Sequence, residues 1–190
     1  MIDRILGYIS HCFRNVPTIV SVGMLFLFIV VAVLLLAFLG GKKGGKWSAR
    51  LFLLEYVTLL FILSVLVRPT QAARVYNLTP FWSYLSIREG DEFLLTQIIA
   101  NVAAFIPIGL LISLAFPSIR WWFFLLIGCA FSLFIETLQF FLKCGFAEFD
   151  DVFNNVLGCL IGLWIYVAIT RIIGSISNKR KLASNNKLDT

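Results

Sequence analysis

Ser132, Glu136, Gln139 and Lys143 follow one another at intervals of four, three and four residues, all but the last inside an apolar stretch. On an α-helix, at about 100° per residue, they fall within an arc of roughly 60°. A carboxylate at bilayer depth costs about 2.5 kcal/mol or more unless it meets water or a partner. Glu136 therefore calls for a polar interior, where it would be a structural latch if paired with Arg74 and a proton donor or ligand contact if unpaired. Asp151, Asn155, Gly158 and Gly162 align on a later segment, and Gln97 with Asn101 on an earlier one. Three stripes on three helices point to one shared interior. The alternative is that the amides are interhelical hydrogen-bond partners and that Gly158-Cys159-Leu160-Ile161-Gly162 is a small-xxx-small contact between backbones.

The elements that must position these residues follow from composition. Of 190 residues 60% are apolar and only 14% charged, which places the chain in the membrane class. Mean hydropathy is +0.93. A helix needs about 20 apolar residues to cross a bilayer, and five blocks qualify: Thr18 to Gly40, Ser48 to Val67, Phe93 to Pro117, Trp121 to Leu142 and Val152 to Ile172. Only helices or closed barrels satisfy their own backbone in lipid. The expected fold is all-α, a polytopic bundle of five transmembrane helices. Residues 1–17 form an N-terminal interfacial segment, 18–172 the transmembrane domain with a common core of about 48–172, and 173–190 a basic tail. Thr18 to Gly40 is too long for a secretory h-region and lacks a small-x-small cleavage pattern, so it is expected to stay as an anchor. Ile2, Ile5, Leu6, Ile9 and Phe13 recur at helical spacing among polar residues, predicting a helix in the interface plane.

Five spans divide the 16 Lys and Arg residues six to one side and ten to the other. The richer side is expected to be cytoplasmic, so the N-terminus lies outside, the C-terminus inside, and the loops 68–92 and 143–151 outside. The net charge of +6 then belongs to lipid-facing loops and a cytoplasmic tail, not to nucleic-acid binding. Cys129 and Cys159 fall within spans, while Cys12 and Cys144 share the outer side and could pair. A single histidine and no Cys/His cluster argue against zinc. No cofactor or metal is expected; the one donor set suited to Mg²⁺ or Ca²⁺ would be Glu136, Glu148, Asp150 and Asp151. No phosphate loop or nucleophile elbow is found. Glu55 is expected to pair with Arg50 or Lys46, or to snorkel. Pro107 frees a carbonyl near Ala103 and predicts a kink beside Asn101.

Four runs in order, "RVYNLTPF" (Arg74 to Phe81), "NVAAFIPIGLL" (Asn101 to Leu111), "IETLQF" (Ile135 to Phe140) and "EFDDVFNNVLGCLIG" (Glu148 to Gly162), resemble the VanZ-like family. The resemblance covers the second span onward, about three quarters of the chain. It maps Arg74, Asn77, Leu78, Pro80 and Phe81 onto the family's loop motif, and Asn101, Phe105, Pro107 and Gly109 onto its proline-containing span. Glu136 and Gln139 match its Glu-x-x-Gln, and Asp151, Asn155 and Gly158 its closing motif. Two departures stand out. Many members carry an Arg before the acidic turn, where this chain has Cys144-Gly145-Phe146-Ala147, and Thr18 to Gly40 precedes the common core.

The resemblance implies low-level resistance to teicoplanin and lipid-tailed glycopeptides, exerted at the outer leaflet on drug or cell-wall lipid. Implied partners are membrane lipid and a lipid-linked cell-wall precursor or lipoglycopeptide. A membrane-embedded enzyme and a small transporter for a lipid-linked envelope precursor are the competing classes, although no catalytic signature or internal repeat is seen. The expected site is a cavity open to the outer leaflet, with Glu136 facing Gln139, Asn101, Asp151 and Asn155 and with Arg74 folded in from the loop above.

Overall fold

A computed structural model describes residues 42–185. The expected interfacial segment and the span Thr18 to Gly40 lie outside them. In chain order the elements are α1 (Lys42–Phe61), continued by a π-helical turn (Ile62–Leu66), β1 (Val75–Asn77), α2 (Trp82–Arg88), α3 (Glu92–Ala115), α4 (Trp122–Leu142), β2 (Phe146–Glu148) and α5 (Phe149–Asn185). Among the described residues four helices are long and apolar enough to cross a membrane: Gly45–Leu66, Phe93–Ala115, Trp122–Leu142 and Phe149–Ser177. Large apolar side chains such as Leu54, Phe134, Trp164 and Ile172 are exposed on their outer faces, as lipid-facing surfaces require. The chain is a multi-pass membrane protein.

The four spans alternate in direction, so α3 and α5 run parallel, and they form the most extensive helix pair. Glycine makes the approach possible. A Cβ at Gly158 would lie 2.3 Å from the Val102 carbonyl oxygen, and one at Gly162 2.2 Å from that of Ile106. The contact steps one turn along both helices, from 102 against 158 to 106 against 162. Gly109 faces the Cys159 carbonyl just as closely. The small residues thus act as a backbone contact surface. Phe105, Ile108, Ile112, Phe124 and Ile135 fill the core beside them.

α3 continues as helix through Pro107. The Tyr56 hydroxyl donates to the Ala104 carbonyl at 2.9 Å, next to the carbonyl that the missing proline N–H leaves without its helical donor. Glu55 is not neutralised as expected. Among the described residues its buried carboxyl oxygens have no hydrogen-bond partner, while the Arg50 guanidinium lies over the rings of Trp47 and Phe116, 4.7 and 4.8 Å from their centroids. Stacking on two aromatic rings competes with the ion pair for the same cation.

The all-α expectation needs one amendment. β1 and β2 pair in parallel, Val75 with Phe146, Tyr76 with Ala147 and Asn77 with Glu148, binding the two loops at one end of the bundle. Gln71 N–H donates to the Lys143 carbonyl at 2.6 Å beside that ladder. Two three-residue strands with no alternating pattern leave no sequence signal.

Candidate functional site

The polar residues meet at the end of the bundle that carries the ladder. α5 begins there with Asp150 and Asp151 in its first turn, where the helix dipole favours negative charge. The two neighbours do different work. Asp150 is fully buried and accepts the backbone N–H of Phe81 at 2.6 Å and of Ser83 at 3.0 Å, with the Ser83 hydroxyl donating to it as well. It supplies from afar the cap that α2 lacks locally, since no side chain of its own N-cap does so. It also holds Phe81 at φ 60°, a left-handed conformation that bulky residues adopt only when their surroundings impose it. The Phe81 ring packs edge-on against Phe153 at 5.2 Å. The Asn77 side chain accepts from Thr79 N–H at 2.9 Å, completing the ordered loop.

Asp151 faces a cavity of about 310 Å³, lined with it by Arg68, Gln97, Asn101, Glu148, Cys144 and Phe93, among others. Two larger clefts, of about 600 and 550 Å³, are grooves between helices lined mainly by apolar side chains, one around Phe116, Trp121 and Trp164 and the other around Leu53, Phe105 and Phe131. Convergent polar groups favour the smaller cavity as the site.

The cavity has graded walls. Arg68, Pro69, Gln71 and Phe93 are exposed, Gln97, Asn101 and Asp151 half-buried, and Cys144, Gly145 and Glu148 buried. Gln97 Nε2 donates to Glu148 Oε1 at 3.5 Å, a long bond. Burial above all, then the carboxyl of Asp151 and to a lesser degree that of Asp150, push the Glu148 carboxyl up to about 7. Gln97 and the Trp82 indole N–H offset this in part, although the indole falls short of hydrogen-bond geometry. The Asn101 amide nitrogen is buried and interacts with the Asp151 carboxyl, although among the described residues it falls short of hydrogen-bond geometry. The cavity thus offers a cation, two acids and two amides: groups that bind a polar ligand or pass a proton.

The predicted cluster is brought together only in part. Asn101 and Asp151 share the cavity. Glu136 lies behind it, 8% exposed, and accepts the backbone N–H of Glu148 at 3.0 Å. Gln139 donates to the Ser64 carbonyl at 2.9 Å, inside the π-helical turn, and Asn155 to the Ser132 hydroxyl at 2.8 Å. These bonds tie helices and loop together. Arg74 does not fold onto Glu136: it is exposed, 5.7 Å above the Phe140 ring, because the adjacent ladder commits its segment to β2. The basic group whose field reaches both Glu136 and Asp151 is Arg68. Arg68 and Glu148 were absent from the expected site; the sign of Arg68 was its place as the first charge after a span. Asp150 and Glu148 do not join a metal cluster, for among the described residues no three His, Cys, Asp or Glu side chains converge on one point.

The VanZ/LLP1 family model matches residues 28–171. The chain belongs to the VanZ/LLP1 family. Protein VanZ of Enterococcus faecium is 32% identical over 129 residues, covering 65% of this chain and 75% of that protein. No solved structure matches. The VanZ/LLP1 match takes in both loops of the ladder and every cavity residue named above.

Proposed function

We propose that the chain lowers sensitivity to teicoplanin and lipid-tailed glycopeptides by acting at the outer leaflet on drug or cell-wall lipid. Membership in the VanZ/LLP1 family, together with a polar cavity where spans meet loops, supports this reading. In it the ladder end faces outward, the N-terminus is outside and the C-terminus cytoplasmic, in keeping with the excess of Lys and Arg in the other connections. Asp151, Arg68 and Asn101 contact the ligand, while Glu136, Gln139 and Asn155 hold the walls. The test is growth of a susceptible Gram-positive host expressing the chain, with teicoplanin, lipid-tailed glycopeptides and vancomycin compared. A gain confined to lipid-tailed drugs is expected, and equal sensitivity to all three with and without the chain removes the reading.

One observation favours an enzyme acting on a lipid-linked envelope precursor. Glu148, at about 7, sits in the range of an effective general acid or base. Product formation from a lipid-linked substrate by purified protein, lost in Glu148→Gln, is the outcome that reading requires.

A further inference from the structure

A volume of about 310 Å³ lies at the small end of ligand sites. A glycopeptide, a glycosylated and cross-linked peptide, is far too large to enter. What fits is one polar group, and the walls specify it. The exposed rim carries Arg68 beside the apolar Phe93, and the buried floor carries Glu148, with Asp151 and the Asn101 amide between. Charge therefore runs from positive at the mouth to negative at depth. A carboxyl floor selects a cation, and one with N–H donors gains charge-assisted bonds. A guanidinium at the mouth selects an anionic oxygen group, for which its planar donors are suited. A ligand entering ammonium first, with phosphate behind it and a hydrocarbon tail outside, meets these groups in order. Phe93, an exposed residue of the lining, stands at the mouth where the tail would leave.

We propose that the cavity holds, head first, a phospholipid headgroup with a primary ammonium beyond its phosphate, the ammonium on Glu148 and Asp151 and the phosphate at Arg68. This rests on the cavity being the functional site, and it makes lipid rather than drug the molecule held there. The Asn101 amide, which interacts with Asp151, has a second N–H to donate to a phosphate oxygen or to a carbonyl near it. Phosphatidylcholine, whose trimethylated nitrogen has no N–H, and phosphatidylglycerol, whose headgroup has no amine, fit less well.

The experiment uses the purified full chain in nanodiscs of phosphatidylcholine with equal minor fractions of phosphatidylethanolamine and phosphatidylglycerol. Lipid retained after detergent release is read by native mass spectrometry. Preferential retention of phosphatidylethanolamine is expected, weakened roughly tenfold or more in Arg68→Gln and in Glu148→Gln, the scale of losing a hydrogen bond to a charged group. Arg120→Gln, an exposed cation at the opposite end of the bundle, should retain it in full. Equal retention of the three lipids by the unaltered chain overturns the proposal whether or not a variant folds. So does undiminished retention in both cavity variants. Soluble phosphoethanolamine, added to nanodiscs of phosphatidylcholine alone, tests the other source of the same chemistry: binding there without enrichment of the lipid assigns the cavity to a free zwitterion and overturns the lipid. The assay reads lipid retention and the growth test reads drug sensitivity, so either can fail alone.

Discussion

The backbone N–H of Phe81 donates to Asp150 Oδ1 at 2.6 Å, across 69 residues of chain. This bond and the two from Ser83 fasten the loop before α2 to the start of α5. Asp150→Ala leaves the buried Ser83 N–H and the partly buried Phe81 N–H without an acceptor and should destabilise the protein by about 2 to 4 kcal/mol, one unmet buried partner costing about 1 to 3. The check is thermal unfolding in detergent, where an unchanged midpoint would mean that the loop is held by its aromatic contacts alone.

Gly158 and Gly174 form a contrasting pair on one helix. A Cβ at Gly158 would meet the Val102 carbonyl oxygen at 2.3 Å, while one at Gly174 meets nothing within 4 Å among the described residues. Gly158→Ala should push α3 and α5 apart, lowering the unfolding midpoint and membrane abundance. Gly174→Ala should be neutral or slightly stabilising, by up to about 1 kcal/mol of helix propensity. Equal behaviour of the two variants would refute close packing at this interface.

Glu148 links stability to pH. Its carboxyl is raised from 4.5 to about 7, so the folded state binds its proton more tightly than the unfolded state does. The stability this confers is complete below the unfolded value of 4.5 and is lost as pH rises through about 7. Glu148→Gln should therefore flatten the fall in unfolding midpoint between roughly pH 4.5 and pH 7. A slope identical to that of the unaltered chain would show that other groups carry it.

Cys144 is buried, at 4% exposed, so it is a poor reporter of sidedness. Thr70 and Ser118, exposed at opposite ends of the bundle, are better ones. In a background free of native cysteine, Thr70→Cys should react with an impermeant thiol reagent on intact cells and Ser118→Cys only after lysis. The reverse pattern would place the cavity on the cytoplasmic side.

The spans were legible because lipid sets their length: Ser48 to Val67, Phe93 to Pro117, Trp121 to Leu142 and Val152 to Ile172 differ from the observed helices by a few residues at their ends. The stripe holding Glu136 was legible too, but its partner was not. Periodicity places a side chain on a face and says nothing of a backbone N–H arriving from a loop, which is how Glu148 reaches Glu136. For the same reason Asp150 and Asp151 could not be told apart as cap and cavity wall. Arg74 drew attention because it stands in a motif, whereas Arg68, just after a span, stands in none.

The central claim is that the cavity of Asp151, Arg68 and Glu148 carries the function and that Arg74 stands outside it. The most direct measurement is the teicoplanin concentration that halts growth of a susceptible host expressing the unaltered chain, Asp151→Asn, Arg68→Gln or Arg74→Gln, at equal membrane abundance. Asp151→Asn and Arg68→Gln are expected to fall to the level of the host without the chain, and Arg74→Gln to keep the protection of the unaltered protein. Full protection by Asp151→Asn and Arg68→Gln, or its loss in Arg74→Gln alone, would contradict the account.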